Sequence, residues 1–168
     1  LPRVIHELRQ ENISPWFNFL LSETPSSRQD AQSQLTNFFQ LLHTHSRHLN
    51  KGDIVAVKLS NFFTMSDLKQ NIIEDDIILS LGHQLYDLHR QFGISFVIDS
   101  EPMYDPIILN YALLIASVIK SDEPFIGVTL ASRYPRQSIQ LLENIFNTLI
   151  QSETKIILKL VKGAPYGI

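Results

Sequence analysis

The stretch Ile54-Val55-Ala56-Val57-Lys58-Leu59 decides how this chain folds, because it is the first of four short apolar runs. The other runs are residues 94–98, 125–130 and 156–161, and all four are rich in valine and isoleucine with only weak alternation. Such runs are typical of parallel strands that are buried on both faces of a sheet. They therefore predict four strands of one parallel sheet.

Longer segments with helical periodicity lie between these runs. Apolar residues recur at helical spacing over residues 72–88, 107–118 and 139–149. The strand starts are 40, 31 and 31 residues apart. A (β/α)8 barrel uses about 250 residues for eight units, or roughly 31 per unit. The spacing predicts an α/β fold, a partial (β/α)8 barrel of about four parallel βα units, with a doubly wound sheet as the alternative.

Two helices are predicted ahead of the first strand, over residues 3–21 and about 28–49. Pro15 interrupts the first of them, and Pro25 lies in the linker between them. We therefore expect an N-terminal helical segment, residues 1–50, and a partial barrel, residues 51–168. Leu1 in place of Met predicts that the chain was cut from a longer protein. A partial barrel has open sheet edges, so we also expect self-association through them.

Composition limits the possible functions. The 168 residues are 44% hydrophobic, carry a formal net charge of −3 and include no cysteine. This excludes disulfide frameworks and thiol nucleophiles, and the acidic balance predicts no contact with nucleic acid. The longest apolar stretch, residues 107–119, is shorter than the ~20 residues of a membrane span. We expect a cytoplasmic protein, with attachment to the inner membrane through a longer parent chain as the alternative.

Charged residues follow each of the four runs. Lys58 closes the first, Asp99 closes the second, Arg136 follows the third and Lys162 closes the fourth. In parallel α/β folds the carboxyl ends of the strands build the active site, so these side chains are predicted to share one cavity. The alternative is that the strands simply end in solvent, where charges are normally found.

Lys58 and Asp99 are the strongest individual candidates. Lys58 lies within an apolar run, where an ammonium group needs a partner or a water-filled opening. It can pair with Asp99 of the neighbouring strand, or it can hold a substrate carboxylate. Asp99 is expected to hydrogen bond to Lys58, to Lys159 or to a substrate. This use of Asp99 is favoured over a divalent cation shared with Glu101, so no metal site is predicted.

Three segments resemble proline dehydrogenase, including the proline dehydrogenase domain of the bifunctional proline utilization A proteins. They are residues 55–60, 93–101 and 158–164, which occur in the family's order and at roughly its spacing. The resemblance covers about residues 53–168 and implies a (β/α)8 barrel that oxidises L-proline to pyrroline-5-carboxylate with FAD. It implies that Lys58 helps to bind the proline carboxylate and that Asp99 supports the substrate-side network. It also implies that FAD is bound by residues that follow the last two strands, namely Arg136, Lys162, Gly163 and Ala164.

The sequence departs from the family at several positions. Ala131-Ser132-Arg133 stands where the family has Gln-Ala-Tyr, so a flavin-contacting glutamine is absent, and Lys159 replaces an arginine. The last barrel strands, which supply substrate-binding arginines in the family, have no counterpart. We therefore expect the fragment itself to be inactive, and its electron acceptor stays open. The alternatives are a catalytically silent, barrel-derived binding or assembly module, and a different barrel enzyme that uses Asp99 and Glu101.

Overall fold

The computed structural model describes residues 2–11, 16–18, 24–99, 105–131 and 155–161, together with the single residues 140, 143, 144 and 147. Five strands form one sheet, and every neighbouring pair is parallel and follows the order of the chain. The strands are β1 (Trp16–Asn18), β2 (Ile54–Val57), β3 (Ser95–Ile98), β4 (Ile126–Ala131) and β5 (Ile157–Val161).

Helices alternate with these strands, and two short 3₁₀ turns, Ser46–His48 and Leu59–Asn61, adjoin α2 and β2. The helices are α1 (Pro2–Gln10), α2 (Arg28–His45), α3 (Met65–Gln70), α4 (Asp75–Phe92) and α5 (Asp105–Val118). The predicted α/β class and partial barrel are confirmed, since parallel strands alternate with helices and the described sheet does not close on itself. None of the helices in these ranges combines the length and apolar character that crossing a bilayer requires.

The prediction of a helix over residues 3–21 is wrong. The first helix ends at Gln10, and Trp16–Asn18 is a fifth strand that pairs in parallel with Ile54–Ala56. A proline at position 15 disfavours a continuous helix, and the aromatic pair that follows it suits a strand. Residues 12–15 and 19–21 of the predicted helix lie outside the described residues. The N-terminal segment therefore contributes to the sheet, and the division of the chain near residue 50 stays a prediction.

The other predicted helices hold where the structure describes them. The second helix, predicted over about residues 28–49, is α2 and the 3₁₀ turn that follows it. The helix predicted to end at Gly93 is α4, and Gly93 takes the left-handed conformation (φ 68°) that glycine adopts readily at a helix end. Most of the helix predicted over 139–149 lies outside the described residues, but residues 140, 143, 144 and 147 are helical and exposed.

One face of the sheet packs against the helices and forms the core. Its buried side chains are large and apolar: Val55, Val57, Phe96, Ile98, Ile126 and Val128. Helices α4 and α5 cover this face, and Gly82 of α4 lets them approach closely. A Cβ atom at Gly82 would lie 2.8 Å from Cγ2 of Ile115. The side chains at the alternate strand positions therefore lie on the opposite face of the sheet.

The opposite, concave face carries smaller side chains in its middle. Ala56, Val97, Gly127 and Thr129 follow the alternate positions of β2, β3 and β4, and none of them belongs to the helix-side core. Strands β4 and β5 approach so closely that a Cβ atom at Gly127 would lie 2.4 Å from the carbonyl oxygen of Ile157. These side chains are buried as well, and the polar residues at the carboxyl ends of the strands lie next to them.

Candidate functional site

A row of polar side chains crosses the concave face near the carboxyl ends of β2 to β5. Val57 pairs with Ile98, and the Asp99 amide donates to the Val57 carbonyl at 2.8 Å, so the pairing continues one residue past β3. Lys58 therefore stands opposite Asp99. Thr129 follows the partner of Ile98 and pairs with Lys159 of β5. We call Lys58, Asp99, Thr129 and Lys159 the polar row.

Asp99 is the centre of the polar row. The Thr129 hydroxyl donates to Asp99 Oδ1 at 2.7 Å, and the Lys159 ammonium group donates to the same oxygen at 2.8 Å. The side chains of Lys159 and Asp99 are 28% and 16% exposed, so water screens this ion pair only in part. Within the described ranges, neither bond uses Oδ2, which leaves that oxygen available as an acceptor. The expected hydrogen bond of Asp99 is thus made with Lys159.

Lys58 is half-buried at the end of β2, and its backbone carbonyl accepts a hydrogen bond from the Asn61 amide at 3.1 Å. No side chain in the described part of the molecule forms a hydrogen bond or an ion pair with its ammonium group, although Asp99 stands opposite. Asp99 is paired with Lys159 instead. The polar row therefore contains two lysines and one carboxylate, and its excess positive charge suits an anionic ligand group.

Trp16 is a member of the site that sequence reasoning missed. The Lys159 ammonium nitrogen lies 5.1 Å from the centroid of the Trp16 ring, within the range of a cation–π interaction. Lys159 thus contacts a carboxylate on β3 and an aromatic ring on β1. Two features of the sequence could have indicated a strand here: Pro15, which disfavours a continuous helix, and the adjacent aromatic residues Trp16 and Phe17. Thr129 was also missed, although a hydroxyl within an apolar run is a visible signal.

The remaining predicted site residues cannot be compared with the polar row. Arg136, Lys162, Gly163 and Ala164 lie outside the described residues. Lys162 directly follows Val161, the last residue of β5. Their roles in binding FAD stay predictions.

A second charged cluster lies at the opposite, amino end of β2. The guanidinium group of Arg9 on α1 donates to Asp53 Oδ2 and, at 3.0 Å, to the His48 carbonyl. Asp53 is buried, and its carboxylate also accepts from the Asn50 amide at 2.7 Å. Because Arg9 and Asp53 already have hydrogen-bond partners within the protein, we do not consider this cluster a candidate for ligand binding. Its contacts hold α1 against the sheet.

A cavity of about 260 Å³ lies between α2, α3 and the start of α4, away from the polar row. Arg28 and Asp67 line it and pair with each other at 2.9 Å, while the Thr64 hydroxyl donates to the same carboxylate at 2.8 Å. These bonds, from Arg28 first and Thr64 second, hold the pKa of Asp67 below its usual value. The charges are satisfied by contacts that cap α3 and tie it to α2, so we locate the candidate site at the polar row.

Comparison with known proteins places this geometry in a structural context. Neither a known protein-family model nor a curated protein matches the sequence. Among solved structures, proline utilization A from Bdellovibrio bacteriovorus, inactivated by N-propargylglycine, has a TM-score of 0.73 and 16% identity over 96% of this chain. A mutant of proline utilization A from Bradyrhizobium japonicum has a TM-score of 0.66 and 18% identity over 94% of this chain. The chain spans 18% and 17% of these two structures, respectively. The described sheet and helices therefore have the fold of one part of proline utilization A proteins.

Proposed function

We propose that this chain forms the front half of the catalytic domain of a proline dehydrogenase, which oxidises L-proline to pyrroline-5-carboxylate with FAD. The observation that carries the proposal is the polar row. Within the described residues, it offers the Lys58 ammonium group without a partner beside the Asp99 carboxylate, whose Oδ2 accepts no hydrogen bond there. The structural likeness to proline utilization A, whose solved form was inactivated by N-propargylglycine, supports the same assignment. So do the three segments that resemble the family.

The polar row has complementary groups for an amino acid. The Lys58 ammonium group can hold a carboxylate by a charge-assisted hydrogen bond, which is stronger than one between neutral groups. Asp99 Oδ2 can accept a hydrogen bond from the ring nitrogen of proline. In the oxidation, a C–H bond breaks at the ring carbon that is bonded to the nitrogen and does not carry the carboxylate, and that carbon loses a hydride. A C=N bond forms there as the nitrogen loses its proton toward Asp99 or solvent.

FAD is the cofactor we propose, because the donor set of the polar row suits it. Bound FAD supplies the chemistry of accepting the hydride, while the protein sets charge and orientation around it. The Lys159 ammonium group, held on the concave face by Asp99, is a cation of the kind that stabilises the negative charge of a reduced flavin ring. Arg136, Lys162, Gly163 and Ala164 would supply further contacts to FAD.

The first experiment tests the cofactor. The purified chain is mixed with FAD and passed through a desalting column, and the visible flavin absorbance that it retains is measured. Lys159→Met should retain less flavin than the wild type, while Lys51→Met should retain the same amount, because Lys51 is an exposed lysine at the other end of β2. Failure of the wild-type chain to retain FAD would contradict the proposed cofactor.

The second experiment tests the role of Lys58 in the longer parent chain that the sequence predicts. Removal of a hydrogen bond to a charged group costs about 1.5–3 kcal/mol, which corresponds to a rise of roughly 10- to 150-fold in the KM for proline. We expect this rise for Lys58→Met and an unchanged KM for Lys51→Met. An unchanged KM in Lys58→Met would refute the assigned role.

A second candidate function is a catalytically silent assembly module. The observation that favours it is Leu160 on the outer strand β5, which is 70% exposed among the described residues. Among the described strands, β5 pairs only with β4, and an unpaired strand edge is a template for pairing with another chain. Sedimentation velocity should then show concentration-dependent association that Leu160→Lys weakens. A monomer at all concentrations would refute this alternative.

A further inference from the structure

The contact between Trp16 and Lys159 joins the two outer strands of the sheet across its concave face. The hydrogen-bond register leads from Trp16 through Ile54, Ser95 and Phe125 to Lys155, which precedes β5. Lys159 lies four residues after Lys155. The two side chains are therefore not register partners, and their contact needs another explanation.

The stagger of a barrel explains the contact. An eight-stranded barrel with a shear of eight is offset by about one residue per strand. Four strand steps separate β1 from β5, so the residue of β5 at the height of Trp16 is four residues after Lys155, which is Lys159. The same rule places Val97 of β3 at this height. Alternate strands supply each interior layer of such a barrel, so Trp16, Val97 and Lys159 belong to one layer.

Trp16 and Asp99 hold the Lys159 ammonium group from different directions. Asp99 Oδ1 accepts its proton at 2.8 Å, and the ring centroid of Trp16 lies 5.1 Å away. A lysine has a long, flexible stem, and a single ion pair does little to fix its position. The planar indole ring gives the ammonium group of Lys159 a second contact beside Asp99, which restricts the positions that this group can take.

We propose that Trp16 is a positioning residue that holds Lys159 against Asp99 and thereby keeps Asp99 Oδ2 free for a ligand. The role of that ligand site rests on the proposed function, whereas the Trp16–Lys159 contact does not. An aromatic ring is required for this role, so phenylalanine can replace tryptophan and leucine cannot. Removal of the cation–π contact should also weaken the retention of FAD by roughly 2- to 5-fold.

The experiment measures the lysine side chain directly. In the NMR spectrum of the folded chain, the Hε protons of Lys159, assigned by their loss in Lys159→Met, should be shifted upfield by the ring current of Trp16. The shift should disappear in Trp16→Leu and be retained in part in Trp16→Phe. Lys159 signals at the position of exposed lysines in the wild type, or a shift that survives in Trp16→Leu, would overturn the proposal.

A second measurement covers the case in which Trp16→Leu does not fold. Trp16 is the single tryptophan of the chain, so all indole fluorescence reports on this position. Lys159→Met should change the emission spectrum, whereas Lys51→Met should not. An emission spectrum unchanged by Lys159→Met overturns the contact. If the spectra behave as expected but no variant retains FAD, the proposed function fails and the positioning of Lys159 by Trp16 stands.

Discussion

The ion pair between Asp99 and Lys159 should show a strong energetic coupling in a double-mutant cycle. Its side chains are 16% and 28% exposed and its atoms lie 2.8 Å apart. A hydrogen bond to a charged group in such a partly buried setting contributes about 1.5–3 kcal/mol. We therefore expect a coupling free energy in that range between Asp99→Asn and Lys159→Met. Either change alone removes the ion pair, so the second change should lower the free energy of unfolding little further.

The chain offers a matched control in the pair Lys51 and Glu123. Its atoms are 3.4 Å apart and its side chains are 77% and 63% exposed. Exposed ion pairs contribute little, so the coupling between Lys51→Met and Glu123→Gln should be about 0.5 kcal/mol or less.

Both cycles are measured by urea denaturation followed by circular dichroism at pH 7. Added salt should reduce the small coupling of the exposed pair further and affect the Asp99–Lys159 coupling less. Equal couplings in the two cycles, or a coupling below about 0.5 kcal/mol for Asp99 and Lys159, would refute the reasoning that the polar row is a defined and partly dry site.

Two further predictions concern the stability of the fold. Gly127→Ala should destabilise the chain by about 3 kcal/mol or more, because its Cβ atom meets the backbone of Ile157 and overpacking against rigid atoms has a high cost. Gly82→Ala should cost less in the same urea titration, because its Cβ meets side-chain atoms of Ile115 and Ile119 instead of backbone and because alanine has the higher helix propensity; the reverse order would be inconsistent with this packing. Because Arg28 holds the pKa of Asp67 low, Asp67 stabilises the fold above the usual carboxylate pKa and loses this contribution as the pH falls below about 4. The unfolding midpoint of Asp67→Asn should thus fall less than that of the wild type upon acidification, and parallel pH profiles would contradict the assignment.

The sequence was sufficient to predict the parts of the fold that depend on local pattern. The four apolar runs became β2 to β5, since short runs rich in valine and isoleucine are typical of strands in a parallel sheet, although β5 is only partly buried. Strand β1 was missed because it is three residues long and exists through its pairing with β2. A short strand of this kind has no periodicity of its own, and the apolar spacing around it suited a helix equally well.

The candidate site was predictable in its location but not in its pairing. Charges after consecutive parallel strands indicated the carboxyl end of the sheet, and Lys58 and Asp99 do stand opposite each other there. The sequence could not decide which lysine would bond to Asp99, because Lys58 lies one strand away, Lys159 lies two strands away, and both have long, flexible side chains. Trp16 was not predictable as a site residue, because its contact with Lys159 depends on the stagger of the strands and hence on the register of all five of them.

The cluster of Arg9 and Asp53, which holds α1 against the sheet, lies at the amino end of β2, whereas the candidate site lies at the carboxyl ends of the strands. Mutations at the polar row leave these contacts untouched, so residues of the candidate site can be exchanged without loosening α1 from the sheet.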